Sequence, residues 1–333
     1  MQSCSTDFEV VRPVGTHDEA LRELANRLRL REPFAQLLNE TMAGCVPVGR
    51  NGSVSLLLRL HRNDRRAFQT VLRPEARRDS YGFEEHRDRD SAGAMLDIGG
   101  HVGLAALAFH ALHPLARVHV FEPAPLSFFY LAWNALANNA SETLSLHNAG
   151  LSSDGRPFVL EFAPDDSTSS RRAELGATWG RLPKQQHLVP TKRLTDVLDG
   201  CTGSGGRPLR KTLAVLKMDC EGCEFDLVPH EPAFFGDLRF RLASEYHEYH
   251  TKRRGHEARN ASLLTVNAIS QSKAVLCGRT WACEDRIAWL HGCKRTQTRW
   301  YNTTRATRAA RCAASYRSSR HALRLAGAAP DGS

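Results

Sequence analysis

The chain has 333 residues, of which 41% are hydrophobic, so it is long enough for one large domain with a full apolar core. No window holds about 18 consecutive apolar residues, so we predict no membrane-spanning helix. The net charge is +9, but residues 294–333 carry nine Lys and Arg against one Asp, which places +8 there. The nearly neutral remainder argues against nucleic acid as a partner of residues 1–293. Residues 294–333 are predicted to be a basic, disordered tail.

Residues 1–90 are predicted to form an N-terminal extension that caps the rest of the chain. Residues 18–38 carry apolar side chains at helical spacing, and residues 53–60 have the composition of a strand. Residues 73–90 are charged and show no period, which indicates a loop before the core.

Residues 91–293 are predicted to form the main domain, because apolar strands alternate there with helical segments. Residues 164–184 are polar and are predicted to form a loop, and residues 274–277 and 286–290 are predicted to pair antiparallel at the end. The alternation indicates an α/β fold with a Rossmann-like, doubly wound, mostly parallel sheet. The predicted strands are 94–98, 117–121, 143–147, 213–218 and 240–244, and the predicted helices are 103–113, 126–138, 224–230 and 257–271.

A glycine-rich turn connects the first buried strand of this domain to its first helix. The turn contains Gly99, Gly100 and His101, and it follows directly on Asp97. Glycines in such a turn let the backbone approach a ligand closely, because no Cβ stands in the way. The segment therefore predicts a nucleotide-like cofactor at the carboxyl end of the strand.

Acidic residues end four of the predicted strands. They are Asp97, Glu122, Asp219 and Glu245, and the last is followed closely by His247. In doubly wound sheets the carboxyl ends of the strands form the ligand-binding crevice. We therefore expect these side chains to converge on one site.

The position of the first acid favours S-adenosylmethionine over NAD as the cofactor. An NAD-binding turn has the pattern G-x-G-x-x-G and holds a pyrophosphate. Here Asp97 precedes the turn, and an anion beside a pyrophosphate would be repelled, whereas it would attract an ammonium or a sulfonium. Glu122, further along the chain, suits a ribose diol in either case.

Four segments of the sequence resemble the FkbM-type methyltransferases, over about residues 92–250. The string Lys-x-Asp-x-Glu-Gly-x-Glu at 217–224 is the most specific of them, and His101 departs from the family, which usually has Asn there. The segments are L-D-I-G-G-H-V-G at 96–103, F-E-P at 121–123, N-A-G-L-S at 148–152, and L-K-M-D-C-E-G-C-E at 216–224 with E-Y-H at 245–247.

The resemblance implies a class I, S-adenosylmethionine-dependent methyltransferase that methylates hydroxyl groups of sugars or other small molecules. By match, Asp97, Gly99, Gly100 and His101 would line the methionine end of the cofactor. Glu122 would bind the ribose hydroxyls, and the segment at Asn148 would lie near the adenine. Asp219 would face the sulfonium and the acceptor.

The predicted catalytic residues are Asp219, Glu221, Glu245 and His247. A sulfonium is already activated, so the protein's main task would be alignment, with Asp219 or His247 taking the proton of the acceptor hydroxyl. Glu221 has an alternative role, because it lies near a helix start where carboxylates stabilise the helix dipole. The same four side chains are able to hold a divalent metal, which we do not favour.

Three other functions remain open on the sequence. One is a catalytically silent relative that only binds the cofactor, and another is an NAD-dependent oxidoreductase. The third is an RNA methyltransferase with a basic anchor, which the nearly neutral body disfavours. The acceptor and the oligomeric state are not predicted.

The sequence gives conflicting indications of the compartment. No signal peptide opens the chain, which predicts a cytoplasmic protein. Five Asn-x-Ser/Thr sequons occur, at Asn39, Asn51, Asn139, Asn260 and Asn302, where about 1.4 are expected by chance, and this excess favours the secretory lumen. Of the nine cysteines, the two of the C-x-x-C at 220–223 are predicted to be buried thiols rather than a zinc or redox site.

Overall fold

The computed structural model describes residues 18–30, 32–48, 52–59, 83, 93–163, 166–172, 185–235, 240–244 and 275–276. Several predictions lie outside these residues. They are the catalytic assignments of Glu245 and His247, the helix at 257–271, the strand at 286–290, the antiparallel pairing that involves it, and the tail at 294–333.

Thirteen strands and eight α-helices make up the described part of the chain. The strands are β1 (Thr41–Val48), β2 (Gly52–Arg59), β3 (Ala94–Ile98), β4 (Val118–Phe121), β5 (Leu144–His147), β6 (Gly150–Ser152), β7 (Phe158–Ala163), β8 (Asp166–Arg172), β9 (Gln185–Val189), β10 (Thr191–Arg193), β11 (Leu213–Met218), β12 (Arg241–Ser244) and β13 (Val275–Leu276). The helices are α1 (Asp18–Arg27), α2 (Phe34–Asn39), α3 (Leu104–Leu112), α4 (Pro125–Ala137), α5 (Leu194–Gly200), α6 (Leu209–Thr212), α7 (Glu224–His230) and α8 (Pro232–Phe235).

The central sheet has six parallel strands in the order β13-β12-β11-β3-β4-β5. Along the chain, the first strand of this sheet is β3, in the middle, and β4 and β5 extend the sheet to one edge. The later strands β11, β12 and β13 then add to the other side of β3. The predicted doubly wound fold is confirmed. The direction of winding reverses between β3 and β11, and in such sheets the ligand crevice lies at this switch point.

Alternating side chains of the sheet strands pack into two separate cores. Met95, Val120 and Val215 face the layer that contains α3 and α4. Leu96 and Leu216 face the opposite layer, which contains α5, α7 and α8. Because both faces are covered, these strands are mostly apolar, as expected for a buried parallel sheet, with Asp97, His119 and Lys217 as buried exceptions. Among the described helices, none combines the length and the apolar character needed to cross a bilayer.

The described part of the N-terminal region packs on the α3–α4 layer. The strands β1 and β2 form an antiparallel hairpin, and α1, α2 and this hairpin share one hydrophobic core with the sheet. The buried Asn134 on α4 joins the hairpin to the glycine turn, since its amide nitrogen donates to the carbonyls of Leu57, at 3.0 Å, and Val102, at 2.8 Å. The division of the chain into an extension, a domain and a tail stays a prediction.

Two local expectations from the sequence were wrong. The segment 164–184 was predicted to be a loop, yet β8 forms within it and pairs with β7, because backbone hydrogen bonds to a neighbouring strand outweigh its polar composition. The helical pattern over 18–38 is two helices, separated at Arg29, whose φ of 53° is left-handed, and at Pro33 before α2. In addition, β13 at the end of the sheet pairs with β12 in parallel.

Candidate active site

The turn after β3 is shaped by three residues with left-handed backbone angles. Gly99 has φ 86°, His101 has φ 49° and Gly103 has φ 93°. A Cβ on Gly99 would lie 1.9 Å from the carbonyl oxygen of Asp219, so only glycine fits where the turns after β3 and β11 meet. Asn and His are both enriched among left-handed residues, so His101 preserves the backbone conformation that Asn would adopt.

Backbone N–H groups of this turn already have hydrogen-bond acceptors within the protein. The amides of Gly99 and Gly100 both donate to the carbonyl of Phe121, at 2.9 and 3.0 Å, and Gly103 donates to the carbonyl of Gly100 at 2.8 Å. The amide of His101 donates to Glu122 Oε2 at 2.7 Å. A pyrophosphate-binding turn presents such groups to its ligand. Here the amides of Gly99 and Gly100 bond to the end of β4, that of His101 to Glu122, and that of Gly103 to the turn itself.

A buried ion pair lies beneath the turn. Asp97 is 0% exposed, and Lys217, its neighbour across the β3–β11 ladder, places Nζ 3.1 Å from Asp97 Oδ1. Lys217 Nζ also donates to the carbonyl of Gly99 at 2.5 Å and lies 3.9 Å from Asp219 Oδ2. Burial raises the pKa of Asp97, an effect that the Lys217 charge opposes. Lys217 therefore links the first strand end, the glycine turn and Asp219.

Glu122 follows β4 and is also buried. Its Oε1 accepts a hydrogen bond from the amide of Ala124, and its Oε2 accepts the one from His101, both at 2.7 Å. Burial raises the pKa of Glu122 from 4.5 to about 7, although the two amide donors act in the opposite direction. Each carboxylate oxygen has a second acceptor position, so Glu122 is able to bind further hydroxyl groups while it holds the turn.

The turn after β11 mirrors the one after β3. Glu221 and Gly222 are left-handed, with φ of 53° and 112°, and the amide of Gly222 donates to the Glu224 carboxylate at 3.0 Å. Cys220 and Cys223 form a disulfide across this turn, so the prediction of two buried thiols was wrong. Two cysteines three positions apart in a turn can approach closely enough to bond.

Asp219 and Asn148 complete the described set of predicted site residues. The Asp219 side chain is 28% exposed at the end of β11, which makes its carboxylate accessible from the crevice. The Asn148 amide donates to the carbonyls of Glu122, at 3.0 Å, and Pro123, at 3.3 Å, so it secures the loop after β4. The structure thus brings together the turns that follow β3, β4 and β11.

The sequence interpretation did not assign two of the contacts that hold the site together. One is the hydrogen bond that Lys217 donates to the carbonyl of Gly99. Asn134 was not singled out at all. A polar residue among apolar ones on a helix was the available signal, and only the tertiary structure shows that Asn134 reaches the turn through Val102.

Comparison with known proteins shows similarity to methyltransferases. No protein-family profile matches the chain. Over 147 residues it is 27% identical to Methyltransferase 1 of Beauveria bassiana (strain ARSEF 2860), which covers 40% of this chain and 56% of the relative. Over 155 residues it is 26% identical to Methyltransferase sdnD of Sordaria araneosa, with coverage of 40% and 58%. The chain resembles FkbM-type methyltransferases.

The predicted resemblance is therefore confirmed, although the chain spans only 56% and 58% of the length of these two relatives. Among solved structures, methyltransferase FkbM from Methylobacillus flagellatus KT is 15% identical and covers 53% of this chain and 37% of its own, with a TM-score of 0.31. The fold itself is defined by the strand order of the central sheet.

Proposed function

We propose that this FkbM-type chain is an S-adenosylmethionine-dependent methyltransferase that methylates a hydroxyl group of a sugar or another small molecule. The observation that carries the proposal is the hydrogen bonding of the glycine turn. Four of its N–H groups are bonded to β4, to the Glu122 side chain or within the turn itself, which disfavours a dinucleotide with a pyrophosphate. The similarity to methyltransferases supports the same choice over an NAD-dependent oxidoreductase.

The charges around the turn fit a cationic ligand. Asp97 Oδ2 is buried and has no hydrogen-bond partner within the described part of the chain, so an acceptor is available beneath the turn. Asp97, the turn at Gly99 to His101 and Asp219 would hold the methionine end, where the ligand carries its ammonium and sulfonium. Glu122 would accept hydrogen bonds from the ribose hydroxyls, and Asn148 would border the adenine.

The cofactor, when bound, supplies a methyl group that is already activated for displacement. The residues of the chain then have to orient the acceptor and remove its proton. Asp219 is the candidate base, because its carboxylate is partly exposed at the switch point, and Lys217, 3.9 Å away, would orient it. Glu221, Glu245 and His247 remain proposed catalytic residues.

A divalent metal held by Asp219, Glu221, Glu245 and His247 stays a secondary proposal. Asp219 and Glu221 belong to neither of the two groups of potential metal-ligating side chains found in the described part of the chain. A metal at this position would depend on Glu245 and His247, which were its other proposed ligands.

Binding of S-adenosylhomocysteine tests the cofactor. We expect micromolar affinity in isothermal titration calorimetry and no heat with NADH. Glu122→Gln should weaken the affinity about tenfold to a hundredfold, because a charged acceptor for the ribose is lost. The exposed Glu142→Gln should leave it unchanged. Binding of NADH without binding of S-adenosylhomocysteine would overturn the proposal.

Methyl transfer tests the base. With labelled cofactor and a panel of hydroxylated acceptors, Asp219→Asn should lower kcat at least about a hundredfold while S-adenosylhomocysteine still binds. The exposed Asp196→Asn should behave as the unmodified protein does. Tight binding with no transfer to any acceptor would identify a silent cofactor-binding relative instead.

A further inference from the structure

Two histidines and a cysteine converge outside the candidate active site. His119 lies on β4, His147 ends β5, and Cys201 follows α5. One ligand atom from each lies within 4.8 Å of the other two. The cluster is on the α5 side of the sheet near its β5 edge, and nothing in the proposed methyl transfer uses these side chains.

The spacing of the two imidazoles matches a tetrahedral metal site. His119 Nδ1 and His147 Nε2 are 3.5 Å apart, which is longer than an ordinary hydrogen bond. Two nitrogens bound to one tetrahedral Zn²⁺ at about 2.0–2.1 Å would be roughly 3.4 Å apart. The two rings already have this separation, and Cys201 Sγ has to approach by only a small side-chain movement.

The hydrogen bond of His119 fixes which of its nitrogens is available. Its Nε2 lies 3.0 Å from the carbonyl oxygen of Thr202, and a carbonyl only accepts, so Nε2 carries the proton. Nδ1 therefore presents a lone pair toward His147. Zinc-bound histidines typically donate their second N–H to such a carbonyl or carboxylate, which orients the ring.

Packing holds the second ring, and the cysteine is free. His147 stacks on Phe121, with ring centroids 4.3 Å apart and planes 13° from parallel. Cys201 has no disulfide partner, whereas Cys220 and Cys223 are bonded to each other. The disulfide also removes the second group of potential ligands, which consists of those two cysteines and Glu224.

The charges around the cluster permit a metal ion. Burial is the main reason that the pKa values of His119 and His147 are lowered, the latter to about 4, so both rings are neutral ligands at pH 7. Arg117 and Lys192 add positive charge nearby, but both are exposed to solvent, which screens them. Burial raises the pKa of the Cys201 thiol, so a bound ion would have to displace the thiol proton, and the resulting thiolate would offset one charge of the ion.

We propose that His119, His147 and Cys201 bind one Zn²⁺ ion, with a fourth position open to water. Three protein ligands with one open position are typical of exchangeable or catalytic zinc rather than closed structural sites. A bound metal ion would connect β4, β5 and the end of α5. It would thereby link His147, which directly precedes Asn148, to the helix layer that contains α5.

Metal titration of the full chain after chelator dialysis tests this site. We expect one equivalent of Zn²⁺, and with Co²⁺ as a probe we expect thiolate-to-metal charge-transfer absorption. Cys201→Ser should abolish that absorption, and His147→Gln should weaken Zn²⁺ binding at least about a hundredfold, beyond the usual effect of changing an outer-shell partner. His187→Gln on β9 is the matched control and should change neither.

X-ray absorption of the zinc-loaded, unmodified protein provides a test that needs no variant. It should show one sulfur at about 2.3 Å together with nitrogen neighbours at about 2.0–2.1 Å. Absence of Zn²⁺ binding by the unmodified chain would overturn the proposal. Affinity and absorption that persist in both Cys201→Ser and His147→Gln would do so as well.

Discussion

Glu122 combines a structural task with a proposed binding task. Its two carboxylate oxygens receive the amides of His101 and Ala124, which fixes the glycine turn against the loop after β4. The same carboxylate is 4% exposed, and burial raises its pKa to about 7. The side chain that holds the turn is therefore one whose ionised form is disfavoured by burial when no ligand is bound.

The stability of the ligand-free protein should fall with rising pH because of Glu122. Its folded pKa of about 7 exceeds the ordinary value of 4.5, so between these values the folded chain keeps a proton that the unfolded chain releases. This contribution is full below about pH 4.5 and is lost as the pH rises through about 7. Relative to Glu122→Gln, the free energy of unfolding should drop by about 2 kcal/mol between pH 5 and 7.5.

Urea unfolding at the two pH values measures this difference. The exposed Glu142→Gln should keep the pH profile of the unmodified protein. Parallel profiles for the unmodified protein and Glu122→Gln would contradict the raised pKa.

At the residue scale, the positions of the acidic site residues could be predicted from the sequence, but their contacts with other residues could not. Asp97, Glu122 and Asp219 could be located because each follows an apolar strand. That Lys217 would meet Asp97 depends on the register of β3 with β11, which pairs the two residues. Register is a property of strands distant in sequence, so it could not be read from the local pattern around either residue.

Two asparagines of α4, Asn134 and Asn138, hydrogen-bond to the backbone of β2, and we call this pair the clamp. Asn134 Oδ1 accepts from the amide of Leu57 at 2.6 Å, and Asn138 Oδ1 accepts from the amide of Ser55 at 2.9 Å. Their side-chain amides donate back to the carbonyls of the same two residues. Four residues of helix span about 6 Å and two residues of strand about 6.6 Å, so the spacings match.

The two halves of the clamp should differ in their contribution to stability. Asn134→Ala leaves buried backbone groups of Leu57 and Val102 without partners, and it should lower the free energy of unfolding by about 3 kcal/mol. Asn138→Ala removes the same kind of contact from the exposed Ser55, where water replaces it, so the loss should stay below about 1 kcal/mol. Chemical denaturation of both variants measures the contrast, and equal losses would contradict it.

At the element scale, apolar strands and helices were predictable, while strands made by pairing were not. The strand β11 is LAVLKM and was located within its observed bounds. The strand β1 contains Gly44 and Pro47, two residue types that are depleted in strands, and β8 is DSTSSRR, which has no apolar pattern. Both form because an adjacent antiparallel strand supplies their hydrogen bonds.

For the whole molecule, the disulfides predict an oxidising compartment. Cys45 is disulfide-bonded, and Cys220 is bonded to Cys223, whereas cytosolic thiols usually stay reduced. Two of the sequons present exposed asparagines, Asn39 and Asn139. Both features support the secretory lumen over the cytoplasm as our proposed location.

Native protein should therefore lose mass when treated with an N-glycosidase, and thiol reagents should modify neither Cys220 nor Cys223. Asn139→Gln should reduce the glycan mass, whereas Asn138→Gln, one residue earlier and outside a sequon, should not. A native protein that carries no glycan and reacts at both cysteines would place it in a reducing compartment.

The hydrogen bonds of the glycine turn have a consequence for engineering. Because the amides of Gly99, Gly100 and His101 are bonded to Phe121 and Glu122, the proposed discrimination against a pyrophosphate would be a property of the main chain. In that case, substituting side chains in the crevice would not be sufficient to create a dinucleotide-binding site. A redesign would have to detach the turn from the end of β4 and supply new N–H donors to the phosphates.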